Sequence, residues 1–306
     1  MQTLLLIDAN SLIHRAFHAL PPFTAPDGSP TGALYGLASI LLKILNSERE
    51  KPNYIAAAFD RPEPTFRKKE FAEYKAHRPP APPELISQII QSRELLQNFD
   101  IRYFEEAGLE ADDLIGSLAK KFSGKENIQI IILTGDRDAF QLIMGNRVVV
   151  ETPLKGISET FIYNENAVKE KFGIVPNQLV DYKGLVGDQS DNIPGVKGIG
   201  PKTASKLLSE FSNLENLFSS IKESHPLYEK ISPFKEQALF SKKLATIKTD
   251  FPIDIKLDNL KFNGLNLEKL TPFFEKMGFQ SLLKRLNKKE ELVSKKPIAK
   301  TQSSML

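Results

Sequence analysis

The chain has 306 residues, a formal net charge of +3, 41% hydrophobic and 26% charged residues, and no cysteine. That length holds a sizeable core near the limit of one domain, and the missing cysteines exclude disulfides, thiolate metal sites and cysteine nucleophiles. No apolar run reaches the roughly 18 residues of a membrane span, and the start Met1-Gln-Thr-Leu-Leu-Leu-Ile-Asp8 has neither a basic segment nor a small-residue cleavage site, so a reducing cytoplasm is expected.

Taken in chain order, short apolar runs at 3–7, 54–59, 101–104 and 128–133 read as buried parallel strands, joined by a fifth at 147–150. Helical patterns at 32–47, 84–98 and 110–122 lie between them. This alternation predicts an α/β fold with a doubly wound parallel sheet, whose functional crevice lies beyond the carboxyl ends of the strands. Acids stand at those ends. Asp8 ends the first strand and Asp60 follows the second. Glu110, Asp112 and Asp113 open the helix after the third, and Asp136 and Asp138 follow the fourth. One such acid is a common turn residue or cap; carboxylates after all four strands are not explained by capping.

Between Asp60 and the helix at Glu84, residues 61–83 interleave Arg61, Arg67, Lys68, Lys69, Lys75 and Arg78 with Phe66, Phe71 and Tyr74. Cations with aromatics suit single-stranded nucleic acid, and the connection places this segment over the crevice. Lys75 and Arg78, three apart, are candidates for stabilising charge on a scissile phosphate. A solvated charged loop is the plainer alternative.

From about Phe161 the pattern turns helical, with helices expected at 164–172, 177–185, 202–211, 233–246 and 267–277. Asp188 and Asp191 lie in a turn-rich stretch before Ile193-Pro-Gly-Val-Lys-Gly-Ile-Gly-Pro-Lys-Thr-Ala204. Pro201 intrudes on a P-loop reading, and no strand precedes the stretch as a dinucleotide loop requires. A helix-hairpin-helix gripping the DNA backbone, or a purely structural helical hairpin, remains. Gly195, Gly198, Gly200, Lys202 and Thr203 are its candidate contacts. The polar, Lys-rich 287–306 reads as a flexible tail or linker. The organisation expected is thus 1–160 catalytic, 161–286 helical and DNA-binding, and 287–306 tail.

So many acids in one crevice repel one another unless cations neutralise them. Oxygen donors of this kind suit Mg²⁺, and two such ions can clamp both oxygens of a phosphodiester displacement. With those acids set aside the remainder is strongly basic, which favours a polyanionic partner. His14, His18, His77 and His225 match no zinc spacing.

The blocks at 4–11, 58–62, 73–79, 108–113, 134–138 and 187–204 together resemble the 5′-to-3′ exonuclease domain of bacterial DNA polymerase I, in the flap endonuclease superfamily, over roughly 1–286. The resemblance implies a PIN-like twisted, mainly parallel sheet with helices on both faces, plus a helical C-terminal part. It implies a first-metal group of Asp8, Asp60, Glu110, Asp112 and Asp113, and a second of Asp136, Asp138, Asp188 and Asp191. Lys75 and Arg78 match the basic pair of a helical arch, with Arg67, Tyr74 and Phe17 among the DNA contacts. The glycine hairpin would hold duplex DNA around a K⁺ ion. Two Mg²⁺, with Mn²⁺ as a substitute, would serve cleavage of 5′ flaps, nicks and 5′ ends in Okazaki-fragment processing and repair. The implied setting is a monomer in the bacterial cytoplasm, associated with the nucleoid, with a polymerase in cis or in trans. A PIN-type ribonuclease and a non-catalytic DNA-junction binder are the rival readings.

Overall fold

A computed structural model describes residues 1–46, 51–154 and 159–286; the expected tail at 287–306 lies outside them. Six strands, β1 (Gln2–Asp8), β2 (Tyr54–Phe59), β3 (Arg102–Glu105), β4 (Ile128–Leu133), β5 (Val148–Pro153) and β6 (Thr160–Tyr163), form one sheet in the order β3-β2-β1-β4-β5-β6. The first five are parallel and β6 runs antiparallel to β5. Helices α1 (Ala9–Ala19), α2 (Gly32–Asn46), α3 (Phe66–Glu70), α4 (Pro83–Asn98) and α5 (Ala111–Ser123) lie between the strands. Beyond β6 come α6 (Glu165–Phe172), α7 (Leu179–Val186), α8 (Pro201–Phe211), α9 (Leu214–Ser220), α10 (Tyr228–Ile231), α11 (Lys235–Ala245) and α12 (Leu267–Lys276).

The unbroken apolar run of β1 explains the layering. Leu4 and Leu6 point into one core and Leu5 and Ile7 into the other, all at most 1% exposed. Each such side chain contributes about 1.5–3 kcal/mol by leaving water. The first core takes α5 and most of the helices after β6; the second takes α1, α2, α4 and α12. A sheet covered on both faces is the expected α/β arrangement. Residues 160–163 are a strand where the helical part was expected to begin, and α1, α3, α9 and α10 are helices that were not expected, α1 starting with no loop after β1.

The register aligns the carboxyl ends of the central strands, pairing Asp8 with Ala58 and Ile7 with Leu133. Asp8, Asp60 and the turn at Thr134 therefore emerge at one edge. α7 and α8 flank the glycine turn in the predicted helix-hairpin-helix manner. Gly195 has φ +61 there, and a side chain would overlap the Gly187 backbone nitrogen, so only glycine fits.

Candidate active site

Asp8 both ends β1 and caps α1, accepting from the Ser11 amide at 2.9 Å and the Thr134 hydroxyl at 2.6 Å. Asn10 accepts from the Asp60 amide at 3.2 Å, and Asp60 accepts from the Ala111 amide at 2.7 Å. That last bond fixes the first turn of α5 against the end of β2. Glu110 caps this helix, whose free N–H groups and positive dipole end favour carboxylates. Asp8, Asp60, Glu110, Asp112 and Asp136 thereby line one cavity of about 260 Å³, faced by Lys75 and Arg78.

The other acids close in from the helical side. Asp138, at the start of a short helical turn, and Asp188 are both bonded by the Lys183 ammonium, which lies 2.5 Å from Asp188. Asp191 meets the Arg78 guanidinium, and the Tyr74 hydroxyl lies 3.1 Å from Asp191 and 3.2 Å from Glu110. The Lys75 ammonium is 2.9 Å from Glu110 and 4.0 Å from Asp191.

The segment at 73–78 is also tied by its backbone to the acid-bearing turn. The Lys75 amide donates to the Asp191 carbonyl at 3.0 Å, and Arg78 Nε donates to the Ser190 carbonyl at 3.0 Å. Asn192 donates to the Glu73 carbonyl at 2.8 Å. Lys75 adopts φ +54, a left-handed conformation that ordinary side chains disfavour. Lys75 and Arg78 of this segment thus lie on the acids, while Arg61 pairs with Glu63 and Lys68 bonds the Ala72 and Tyr74 carbonyls.

Electrostatics follow from this crowding. Burial, with Asp60 and Asp136 nearby, pushes the Asp8 carboxyl up to about 7. Burial pushes Asp138 to about 7 as well, against the opposing pull of Lys183. Burial also raises Asp60 and, with the charges of Asp136 and Asp8, raises Asp112 well above the usual range. Asp188 goes the other way: burial is outweighed by Lys183, and its carboxyl is held below the ordinary value. Burial would lower Lys183, but Asp138 and Asp188 outweigh it and raise its affinity for the proton.

Two family patterns cover this arrangement. Residues 3–173 match the 5′-3′ exonuclease N-terminal resolvase-like domain, and residues 174–268 match the 5′-3′ exonuclease C-terminal SAM fold. The chain belongs to the 5′-3′ exonuclease family. It is 46% identical to DNA polymerase I of Bacillus subtilis over 285 residues, which is 92% of this chain and 32% of that protein. DNA polymerase I of Caldicellulosiruptor bescii is also 46% identical, over 94% of this chain and 34% of that protein. The chain therefore spans about a third of the length of the relatives it matches. Among solved structures, bacteriophage T5 5′-exonuclease has TM-score 0.63 at 19% identity, covering 81% of this chain and 89% of that one. The catalytic core of Rad2 has TM-score 0.58 at 17% identity, covering 90% of this chain and 88% of that one.

Within this exonuclease fold the acids expected as ligands gather at the crevice, with one exception. Asp113 is 0% exposed, and both its oxygens are taken by the Arg67 guanidinium, 2.8 Å from each. Its place beneath the first turn of α5 corrects the expectation of a metal ligand, and the 3% exposed Arg67 is not presented to DNA. Tyr74, 4% exposed with its hydroxyl on two acids, is likewise closed to a stacking base here. Phe17 is half-buried against the second core, edge-on to His18 at 5.3 Å. Gly198 and Lys202 are exposed, with Gly200 and Thr203 half-buried at the start of α8. Lys183 was not expected. A lysine on an apparently ordinary helix, five residues before Asp188, was the only local signal of its role.

Proposed function

We propose that this exonuclease-family chain is a Mg²⁺-dependent, structure-specific 5′-3′ exonuclease and flap endonuclease acting on DNA near 5′ ends and junctions. The observation that carries the reading is the cavity at the strand ends, where five acids face Lys75 and Arg78. Its five carboxylates fit a hard divalent cation that keeps several waters. Among the described residues, no three carboxylates or imidazoles close on a common point, and Lys75 meets Glu110, Arg78 meets Asp191, and Lys183 meets Asp138 and Asp188. Asp8, Asp60, Glu110 and Asp112 would hold one ion, and Asp136, Asp138, Asp188 and Asp191 the other. Two bound ions supply polarisation of the phosphate and a more acidic attacking water.

The chain's own residues do the rest. The acids orient bound waters, while Lys75 and Arg78 bring positive charge to where phosphate charge develops. The hairpin before α8 offers backbone N–H groups to duplex phosphates, with K⁺ as its proposed ion and Lys202 and Thr203 alongside. Residues 1–160 would thus carry the chemistry and 161–286 the duplex grip. Two fold relatives support the reading: a bacteriophage T5 flap endonuclease was solved with DNA and metal ions, and the Rad2 core with DNA substrate. By likeness to the polymerases, Okazaki-fragment processing and repair in the bacterial cytoplasm at the nucleoid are proposed, as a monomer with a polymerase in cis or in trans. No helix of the described residues is long and apolar enough to cross a membrane.

The test presents 5′-flap DNA, nicked duplex and an RNA flap of the same sequence to the purified chain, with Mg²⁺ or with EDTA. Cleavage of the DNA substrates only with divalent metal, and at least tenfold slower cleavage of RNA, is expected. Binding without cleavage in Mg²⁺ and Mn²⁺ would leave a junction-binding protein and overturn the proposal.

A further inference from the structure

We infer that Arg67 and Asp113 form a positioning pair that sets the acids of α5 against the arch; the inference rests on the nuclease reading above. A buried ion pair is costly unless its geometry is good and its remaining donors and acceptors are satisfied. Here they are. Besides its two bonds to Asp113, Arg67 donates to the Leu244 carbonyl at 2.9 Å and the Thr246 carbonyl at 2.8 Å. Asp113 also accepts from the Glu110 amide at 3.1 Å and the Lys248 amide at 2.8 Å. With four donors on two oxygens, Asp113 has no capacity left for a metal ion.

What the pair joins gives it a role beyond stability. Arg67 belongs to α3, eight residues before Lys75 on the segment that reaches the acids. Asp113 holds the backbone of Glu110, and the Arg67 guanidinium stands 3.5 Å from the Glu110 carboxylate. The Leu244 and Thr246 carbonyls lie at the end of α11, which packs on α7, the helix carrying Lys183 to Asp138 and Asp188. One planar fork therefore touches the arch, the acid-bearing helix and the helical body. Lysine has the charge but not this fork. A displacement of about 1 Å at a catalytic group costs about 10²-fold in rate, so loosening the fork should show in catalysis before it shows in folding.

The experiment uses the full chain with Arg67→Lys and Asp113→Asn, and Asp112→Asn as a control that removes a candidate ligand. Four quantities are measured: melting temperature, magnesium binding by calorimetry, flap-DNA affinity in EDTA, and single-turnover cleavage well below the melting temperature. Arg67→Lys is expected to fold and bind flap DNA as the parent does, and to cleave about 10- to 100-fold more slowly. It should bind the same number of magnesium ions at a higher midpoint. Asp112→Asn should lose one bound ion. Cleavage within threefold of the parent at a lowered melting temperature would make the pair structural only. Loss of DNA affinity in Arg67→Lys would return Arg67 to the DNA surface, and loss of one ion in Asp113→Asn would return Asp113 to the ligands; either overturns the inference. If Arg67→Lys does not fold, Asp113→Asn carries the same expectation, its single amide oxygen keeping one of the Glu110 and Lys248 bonds, which use different oxygens of Asp113. A parent that fails to cleave flap DNA refutes the nuclease reading instead.

Discussion

Lys183→Met removes the cation that joins Asp138 to Asp188 and keeps most of the side-chain volume. The side chains are only 12%, 16% and 17% exposed, so little water screens the acids once the ammonium is gone. Removing one partner of a buried pair costs about 3–5 kcal/mol; the partial exposure argues for the lower end. At roughly 2–4 °C per kcal/mol, the metal-free melting temperature should fall by roughly 6–12 °C at pH 8. The loss should depend on pH in a definite direction. Burial already lifts the Asp138 carboxyl to about 7 with Lys183 present, and without it the group protonates more readily. At pH 6 a neutral Asp138 escapes part of the penalty, at about 1.4 kcal/mol per pH unit, so the loss shrinks. Saturating Mg²⁺ should restore most of the stability at pH 8 by replacing the missing charge. Scanning calorimetry in EDTA and in Mg²⁺ at both pH values reads all three effects. An equal fall at pH 6 and pH 8 with no recovery in Mg²⁺ would show that Lys183 acts by packing, and the electrostatic account would fail.

Lys75→Ala and Arg78→Ala should each lower the single-turnover rate about 10²–10³-fold at saturating enzyme; rates within threefold of the parent would leave the arch as a steering surface. In EDTA the parent should melt lower as pH rises from 5 to 8. The raised carboxyls of Asp8, Asp60, Asp112 and Asp138 stabilise the fold fully only below their unfolded values, and that contribution is lost as pH climbs through their folded ones. A flat profile in EDTA, or one as steep in Mg²⁺, would contradict this. Asp112→Asn should abolish cleavage and raise the metal-free melting temperature, because it relieves repulsion with Asp136 and Asp8; a lowered melting temperature would count against it. Gly195→Ala should destabilise the chain by several kcal/mol, since a side chain meets backbone at φ +61. Gly200→Ala should melt near the parent, as open space surrounds it at φ −98.

Buried parallel strands were legible because their apolar runs need no partner to be recognised, and the acids were legible because they sit at or just past strand ends (Asp8, Asp60, Asp136), at helix starts (Glu110, Asp112, Asp113, Asp138) or in the turn before the glycine hairpin (Asp188, Asp191). α1 was not, because Asp8 ends a strand and caps a helix at once, leaving no loop to mark the boundary. β6 is a four-residue edge strand whose pairing with β5 is specified across the sheet, not along the chain. Glu110 and Asp113 lie three apart, a spacing that puts both on one helical face, yet the capping box turns Asp113 back toward the backbone. Its partner Arg67 lies 46 residues away, and nothing local separates a buried arginine from the charged run around it.

The route of the last helix has a consequence for synthesis. α12 and the residues after it, Phe279, Leu282 and Leu286, pack into the core made by α1, α2 and α4. As the ribosome delivers the chain from its N-terminus, the sheet and its covering helices α1, α2 and α4 emerge with the outer flank of that layer still uncovered. That flank is sealed only when the segment at 267–286 arrives. Until then Tyr35 and Phe99, which meet Phe279 and Phe274 in the finished fold, offer an apolar surface for chaperones to hold, and a ribosome stalled before residue 267 would release a sticky, proteolysis-prone fragment.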